Sequence, residues 1–141
     1  MYTDTVTVFN LKDDIWYPSI LSDVDLIVDK GANVVKTGLD SADTAKLHVK
    51  YALSDSGTLI GDKTYLTPKE WQTRDDSNAT TFTEGADFFI LGDWGSEDDI
   101  SDDQYGVNGF YHYCNKKYDH CYLITTVGKY KVIPHFEIGG K

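Results

Sequence analysis

Arginine is almost missing from this chain: Arg74 stands alone beside twelve lysines. The planar guanidinium fork is the usual means of clamping phosphates and carboxylates, so such clamps have almost nothing to be built from. Cysteine is scarce too. Cys114 and Cys121 are the two present. Two are too few for a disulfide framework, and the chain reads as made in a reducing cytoplasm. No stretch approaches the roughly 20 apolar residues of a membrane-spanning helix. Met1, Tyr2, Thr3 and Asp4 open the chain with no basic segment and no apolar run, so no signal peptide is read there. Asn78-Ala79-Thr80 matches a glycosylation sequon, which without a secretion signal reads as coincidence.

Positive charge as a whole is in deficit. Thirteen Lys and Arg face 23 Asp and Glu, a net charge of -10. A surface of that sign repels a phosphate backbone, which excludes a sequence-reading DNA-binding role. Catalytic signatures are missing as well. There is no G-x-S-x-G, no H-E-x-x-H and no phosphate loop. Gly92-Asp93-Trp94-Gly95 has the glycines of such a loop but no lysine after them. Nothing selects one pair of carboxylates for glycoside hydrolysis. The chain therefore reads as a non-enzyme with no cofactor.

What is present suits a single β-rich domain spanning 1–141. Its length supports one core and no more. Hydrophobic residues make up 40%, including ten tyrosines, six phenylalanines and three tryptophans, types that favour pleated surfaces and contact patches. Thr3 to Phe9 alternates as a strand. Lys12-Asp13-Asp14 reads as a turn. Ile15 to Leu21 is a second strand whose Pro18 marks an edge or bulge, and Val24 to Val28 is a third strand or a bent continuation. Thr44 to Leu53 is the clearest strand, with Ala45, Leu47, Val49, Tyr51 and Leu53 inward and Lys46, His48 and Lys50 outward. Thr58 to Leu66 is a hairpin turning at Gly61-Asp62. Thr67-Pro68-Lys69-Glu70 is a helix-start signature for one short turn carrying Trp71. Thr80 to Thr83 and Asp87 to Leu91 are short strands. A helix follows near Asn108 to Lys117, with Phe110, Tyr113, Cys114 and Lys117 on one stripe. At the C-terminus, Tyr122 to Val127 is expected to pair with Tyr130 to Ile138 across Gly128-Lys129. Many short strands and little helix predict a mainly β fold, a small barrel or sandwich with one or two short helices.

Two segments stand apart. Lys30 to Asp43 has no period and is broken by Gly31 and Gly38. Loops of this length in a small domain usually have a function or partial disorder. Lys30, Gly31, Asn33, Lys36 and Gly38 are its candidate functional residues. Gly95 to Gly106 is an acidic loop. Its Asp98, Asp99, Asp102 and Asp103 are conceivable Ca²⁺ ligands, but they lack the D-x-D-x-D-G order and the distal glutamate. A solvated charge run is the commoner reading. His112, Cys114, His120 and Cys121 are types that bind zinc, yet their spacing matches no standard knuckle, and no metal is assigned. Trp16, Trp71 and Trp94 are candidate interface anchors, weighed against the commoner role of core packing.

The run Tyr2-Thr3-Asp4-Thr5-Val6-Thr7-Val8-Phe9-Asn10, then Trp16-Tyr17 and Val24-Asp25-Leu26, resembles the start of small phage and prophage proteins from Gram-positive hosts. Gly61 to Trp71, Gly109-Phe110-Tyr111 and Val132 to Lys141 fit the same group. The beginning is also similar to head-closure (stopper) proteins. That resemblance implies a small β-barrel in a homo-oligomeric ring of the virion. The ring would join the portal and adaptor to the tail, away from any membrane, and DNA would pass it without sequence-specific binding. On that resemblance the loop with Lys30, Gly31, Asn33, Lys36 and Gly38 is the channel or partner loop, expected to be mobile until a partner holds it. Such a protein is made in the host cytoplasm. The segment from Gly95 to Lys117 departs from that pattern, which leaves tail-terminator and adaptor roles open. Two other classes compete: a carbohydrate-binding module, which needs an exposed tryptophan platform, and an acidic host-directed inhibitor that mimics DNA.

Overall fold

β1, Asp4–Lys12, is built on the Thr-Val alternation. It ends at Asp13 and Asp14, whose φ angles of 53° and 63° give a tight hairpin with the twist of its strands. β2 follows as one strand, Ile15–Val28, bent at Asp23, where φ is 56°. A computed structural model describes residues 2–28, 44–55, 57–73 and 78–141. The candidate partner loop, with Lys30, Gly31, Asn33, Lys36 and Gly38, lies outside the described residues. β3, Ala45–Lys50, comes next. A smaller sheet then takes β4, Ala52–Ser54, β5, Gly57–Ile60, and β6, Lys63–Tyr65. Helix α1, Pro68–Thr73, precedes β7, Ala79–Thr80. The chain continues through β8, Phe88–Leu91, β9, Ile100–Ser101, and α2, Gly109–Lys117. It closes with β10, Cys121–Tyr130, and β11, His135–Gly140.

The order β1-β8-β10-β11-β3-β2, with β2 returning to β1, closes a six-stranded barrel, and β9 adds one strand outside β2. The fold is a small, mainly β barrel with two short helices. β2 makes the closure possible. Its first part pairs antiparallel with β1, and beyond the bend Asp25 to Val28 pairs with β3. Between Trp16 and Asp25, β2 has one strand neighbour among the described residues. Pro18 sits in that stretch, where a missing N–H is tolerated. The capping box forms as expected: Thr67 N donates to Glu70 Oε1 at 3.1 Å, and Glu70 N donates to Thr67 Oγ1 at 3.4 Å.

The barrel wall is clothed unequally. Val6, Val8, Leu47, Ile124, Phe136 and Ile138 fill the interior and are fully buried. On the outside of β1, β8 and β10, residues of opposite parity (Phe9, Phe88, Ile90 and Cys121) form a second core under Phe110 and Cys114 of α2. β1, β8 and β10 are therefore apolar on both faces, as strands covered on both sides must be. A buried polar pin ties the barrel to the segment after β7. The Asp87 carboxylate accepts hydrogen bonds from Leu11 N at 3.0 Å, Asn10 Nδ2 at 2.8 Å and Thr83 N at 3.0 Å. Burial outweighs those bonds and pushes its pKa up to about 6.

Three expectations are corrected. The strand expected over Thr44 to Leu53 breaks at Tyr51, because β4 leaves the barrel for the small sheet, so Leu53 is 74% exposed rather than inward. The acidic loop at 95–106 contains β9 and a 3-10 turn at Asp102–Tyr105. The C-terminal hairpin does not turn at Gly128-Lys129. β10 runs on to Tyr130, which pairs with His135, and the chain reverses over Lys131 to Pro134. The Tyr130 ring lies against Gly128, where an added Cβ would meet it at 3.0 Å, so that glycine serves as ring space in a strand.

Candidate interaction surface

The covered side of the barrel accounts for most of the residues singled out from sequence. Trp16 is buried, packs edge-on to Phe88 at 5.0 Å and donates from Nε1 to Asp102 Oδ1 at 2.8 Å. Trp71 is buried with Leu66 and Ala79, its ring 5.5 Å from Tyr17. Trp94 is half-buried, 5.5 Å from both Phe9 and Phe110. The three tryptophans are thus spread over two clusters of this chain. The acidic stretch is divided in role. Asp102 Oδ1 also accepts from Phe110 N at 2.9 Å and so caps α2. Glu97 bridges Lys63 Nζ and Ile20 N, each at 2.8 Å. Burial works against the Glu97 charge, but the Ile20 amide and Lys63 outweigh it and hold the carboxyl below the usual range. Asp98 and Asp99 face solvent.

Cys114 and Cys121 are buried free thiols. Burial pushes the pKa of each up to about 12, so neither is a ready thiolate. Among the described residues, no three His, Cys, Asp or Glu side chains gather closely enough to hold a metal ion. His112, Cys114, His120 and Cys121 therefore make no metal cluster.

The other side of the barrel is wet. β3 presents Lys46, His48 and Lys50 outward, β11 presents His135 and Glu137, and β2 presents Asp25 and Ile27. Register sets them in rows: Lys50 opposite His135, and His48 between Glu137 and Asp25. Side chains on neighbouring strands in such rows touch one another. The His135 ring stacks on Tyr130 at 5.1 Å with planes 14° apart, and His48 meets it at 5.7 Å.

His135 is the chemical centre of this row. Nδ1 lies 2.6 Å from the Ile133 carbonyl oxygen, and Nε2 lies 3.1 Å from Glu137 Oε2. Both partners are acceptors, so the imidazolium, the form with two N–H groups, satisfies both at once, and the neutral ring satisfies one. The Ile133 carbonyl and the Glu137 carboxylate accordingly raise the His135 pKa, and His135 lowers that of Glu137.

The hairpin tip projects from this row. Tyr51 ties down its base: Tyr51 N donates to Pro134 O at 3.4 Å and Tyr51 Oη donates to Tyr130 O at 2.8 Å. Beyond that base the side chains are bare. Val132 is 98% exposed, Ile133 74% and Tyr130 48%. Lys131 and His135 flank them.

The model of a family described only as a family of unknown function, DUF6751, matches residues 1–141. The chain belongs to that family. No curated protein and no solved structure matches it. Membership therefore brings no function with it, and the side chains carry the functional argument.

The sequence reading missed the tip because it placed the turn four residues early. One signal was available. Val132 and Ile133 stand before Pro134 and between the charged residues Lys131 and His135, and a proline favours extended or turn backbone at the residue before it.

Proposed function

We propose that this chain is a structural subunit that assembles with copies of itself and with other proteins, in a ring of the head–tail connector type. The observation that carries the reading is the hairpin tip. Two neighbouring aliphatic side chains, Val132 and Ile133, are held almost wholly in water on a short, braced turn, whereas Leu53 and Val107, which are also bare, are single residues in sequence. Exposure of that kind, rimmed by polar residues, marks contact surfaces. The barrel is compatible with the phage resemblance, and the net charge of -10 suits a channel wall past which DNA slides without being held. On this reading the partners are portal or adaptor and tail proteins, and the protein resides in the virion.

A sugar-binding module draws less support. Trp16 and Trp71 are buried and cannot form a platform. Two measurements test the connector reading. Portal and capsid genes are expected beside this gene, and electron microscopy of purified particles is expected to find the protein as a closed ring at the neck. A gene neighbourhood without virion genes overturns the reading.

A further inference from the structure

An open groove of about 610 Å³ lies along α2, beside the 3-10 turn at Asp102–Tyr105. Each residue that lines it is at least partly exposed. Tyr105 and Tyr113 form its half-buried floor, with ring centroids 4.8 Å apart. Val107 stands fully exposed beside them. The rim is cationic. His112 and Lys116 are four residues apart, as are Tyr113 and Lys117, so each pair shares a face of α2. Lys117 Nζ donates to Tyr113 Oη at 2.9 Å and lies 5.4 Å and 5.6 Å from the ring centroids of Tyr113 and Tyr118. That bond leaves the other N–H groups of the ammonium to a ligand. No Asp or Glu lines the groove. Among the described residues, neither Lys116 nor Lys117 pairs with a carboxylate. A chain with 23 acidic and 13 basic residues thus carries here a patch of the opposite sign, with aromatic and aliphatic surface beneath it.

We propose that this groove binds an acidic segment of another protein, one that carries a large apolar side chain among its carboxylates. The carboxylates meet Lys116 and Lys117, and the apolar side chain lies on Tyr105, Tyr113 and Val107. Charge selects this occupant. A nucleic acid brings a charge at every phosphate against the chain's net -10, and its affinity grows with the number of cations engaged. A second copy brings a net charge of -10 along with its carboxylates. A short acidic segment brings only the few charges that the groove can match, and such complementarity speeds encounter and rejects wrong partners. None of the hairpin-tip residues lines the groove, so the inference stands apart from the ring reading.

Fluorescence anisotropy of the full chain with defined probes tests it. The probes are a labelled peptide of glutamates flanking a central phenylalanine, the same peptide with every glutamate replaced by glutamine, and single-stranded oligothymidylate. The glutamate peptide is expected to bind, to weaken as added salt screens the charges, and to shift backbone NMR signals between Tyr105 and Lys117. The glutamine peptide is expected to bind about tenfold more weakly, and oligothymidylate not to bind. Lys116→Glu with Lys117→Glu is expected to cut affinity for the glutamate peptide about tenfold. Both side chains are exposed, so the fold should survive, and circular dichroism checks it. Tyr113→Phe keeps the ring and removes the hydroxyl that positions Lys117, and a smaller loss than in the double variant is expected. No binding of the glutamate peptide, equal binding of the two peptides, tighter binding of oligothymidylate, NMR shifts elsewhere, or full affinity in the double variant each overturns the proposal. Self-association that the double variant abolishes, without peptide binding, assigns the groove to a second copy and overturns it too. Gene neighbours and particle microscopy decide the connector reading separately.

Discussion

The acidic stretch between Gly95 and Gly106 and the hairpin tip at Lys131–Pro134 exchange the roles that their sequences suggest. By sequence the acidic stretch is a solvated charge run with a calcium ion as the competing prospect. Two of its carboxylates instead hold the fold together: Asp102 joins Trp16 to the start of α2, and Glu97 joins β2 to the buried Lys63. By sequence the hairpin tip is ordinary strand and turn. It exposes the barest aliphatic pair next to the wet side of the barrel. A charge is informative when it is placed to accept particular donors, and an apolar side chain is informative when it is left in water.

The comparison can be broken most sharply at Asp102. Asp102→Ala strands the Trp16 indole N–H and uncaps α2, and should cost about 3 kcal/mol of unfolding free energy. Denaturant melts measure it, and a neutral result would return Asp102 to the solvated class. Glu97→Ala leaves Lys63 buried without its carboxylate. A cost of about 2 kcal/mol is expected, discounted because Glu97 is partly exposed. Glu97 also has a pH signature. Its folded pKa is below the ordinary glutamate value, so its contribution is full above that ordinary value and fades as pH falls through the lowered one.

Val132→Ser with Ile133→Ser should change stability by no more than about 0.5 kcal/mol, because these side chains are already in water. It should also weaken self-association in sedimentation experiments. A large loss of stability would show that the tip is structural and erase the contrast. His135 sharpens the picture by its sign. Its pKa is raised, so the stability gained by holding the Ile133 carbonyl and the Glu137 carboxylate together is complete below the ordinary histidine pKa and is lost as pH rises through the raised value, where the neutral ring keeps one N–H. Lys50, His48, Glu137 and Tyr130 are the neighbouring groups in that titration. Ring NMR should show both nitrogens protonated in acid, and amide exchange at the tip should quicken above the transition. The smallest effect belongs to Asp98→Asn with Asp99→Asn, which should stay within about 0.5 kcal/mol.

Much of the fold was legible. Period-two alternation gave β3, and Thr67 and Glu70 gave the cap of α1, because both depend on near neighbours. Phe110 and Cys114 on one stripe gave the buried face of α2. Long-range geometry was not legible. Nothing near Val24 says that β2 bends at Asp23 and changes partner, and nothing near Tyr51 says that the chain leaves the barrel there. The candidate surface hid for the same reason. Tyr130, His48 and His135 meet only because β10, β11 and β3 lie side by side, and the expected turn at Gly128-Lys129 put Tyr130 in the wrong strand.

The return of β2 to β1 also bears on how the protein fails when crowded. Among the described residues the barrel strands close into a ring, and its longest open edge, Tyr17 to Val24 of β2, carries Pro18 and the bend at Asp23, which make it a poor template for another strand. Open edge remains on short pieces such as β9, two residues long, and β4, three residues long. Growth of a fibril that recruits the paired strands would first require unzipping the ring of hydrogen bonds. Many copies can therefore be packed together at one place and still associate through side chains, by contacts that form and part without unfolding.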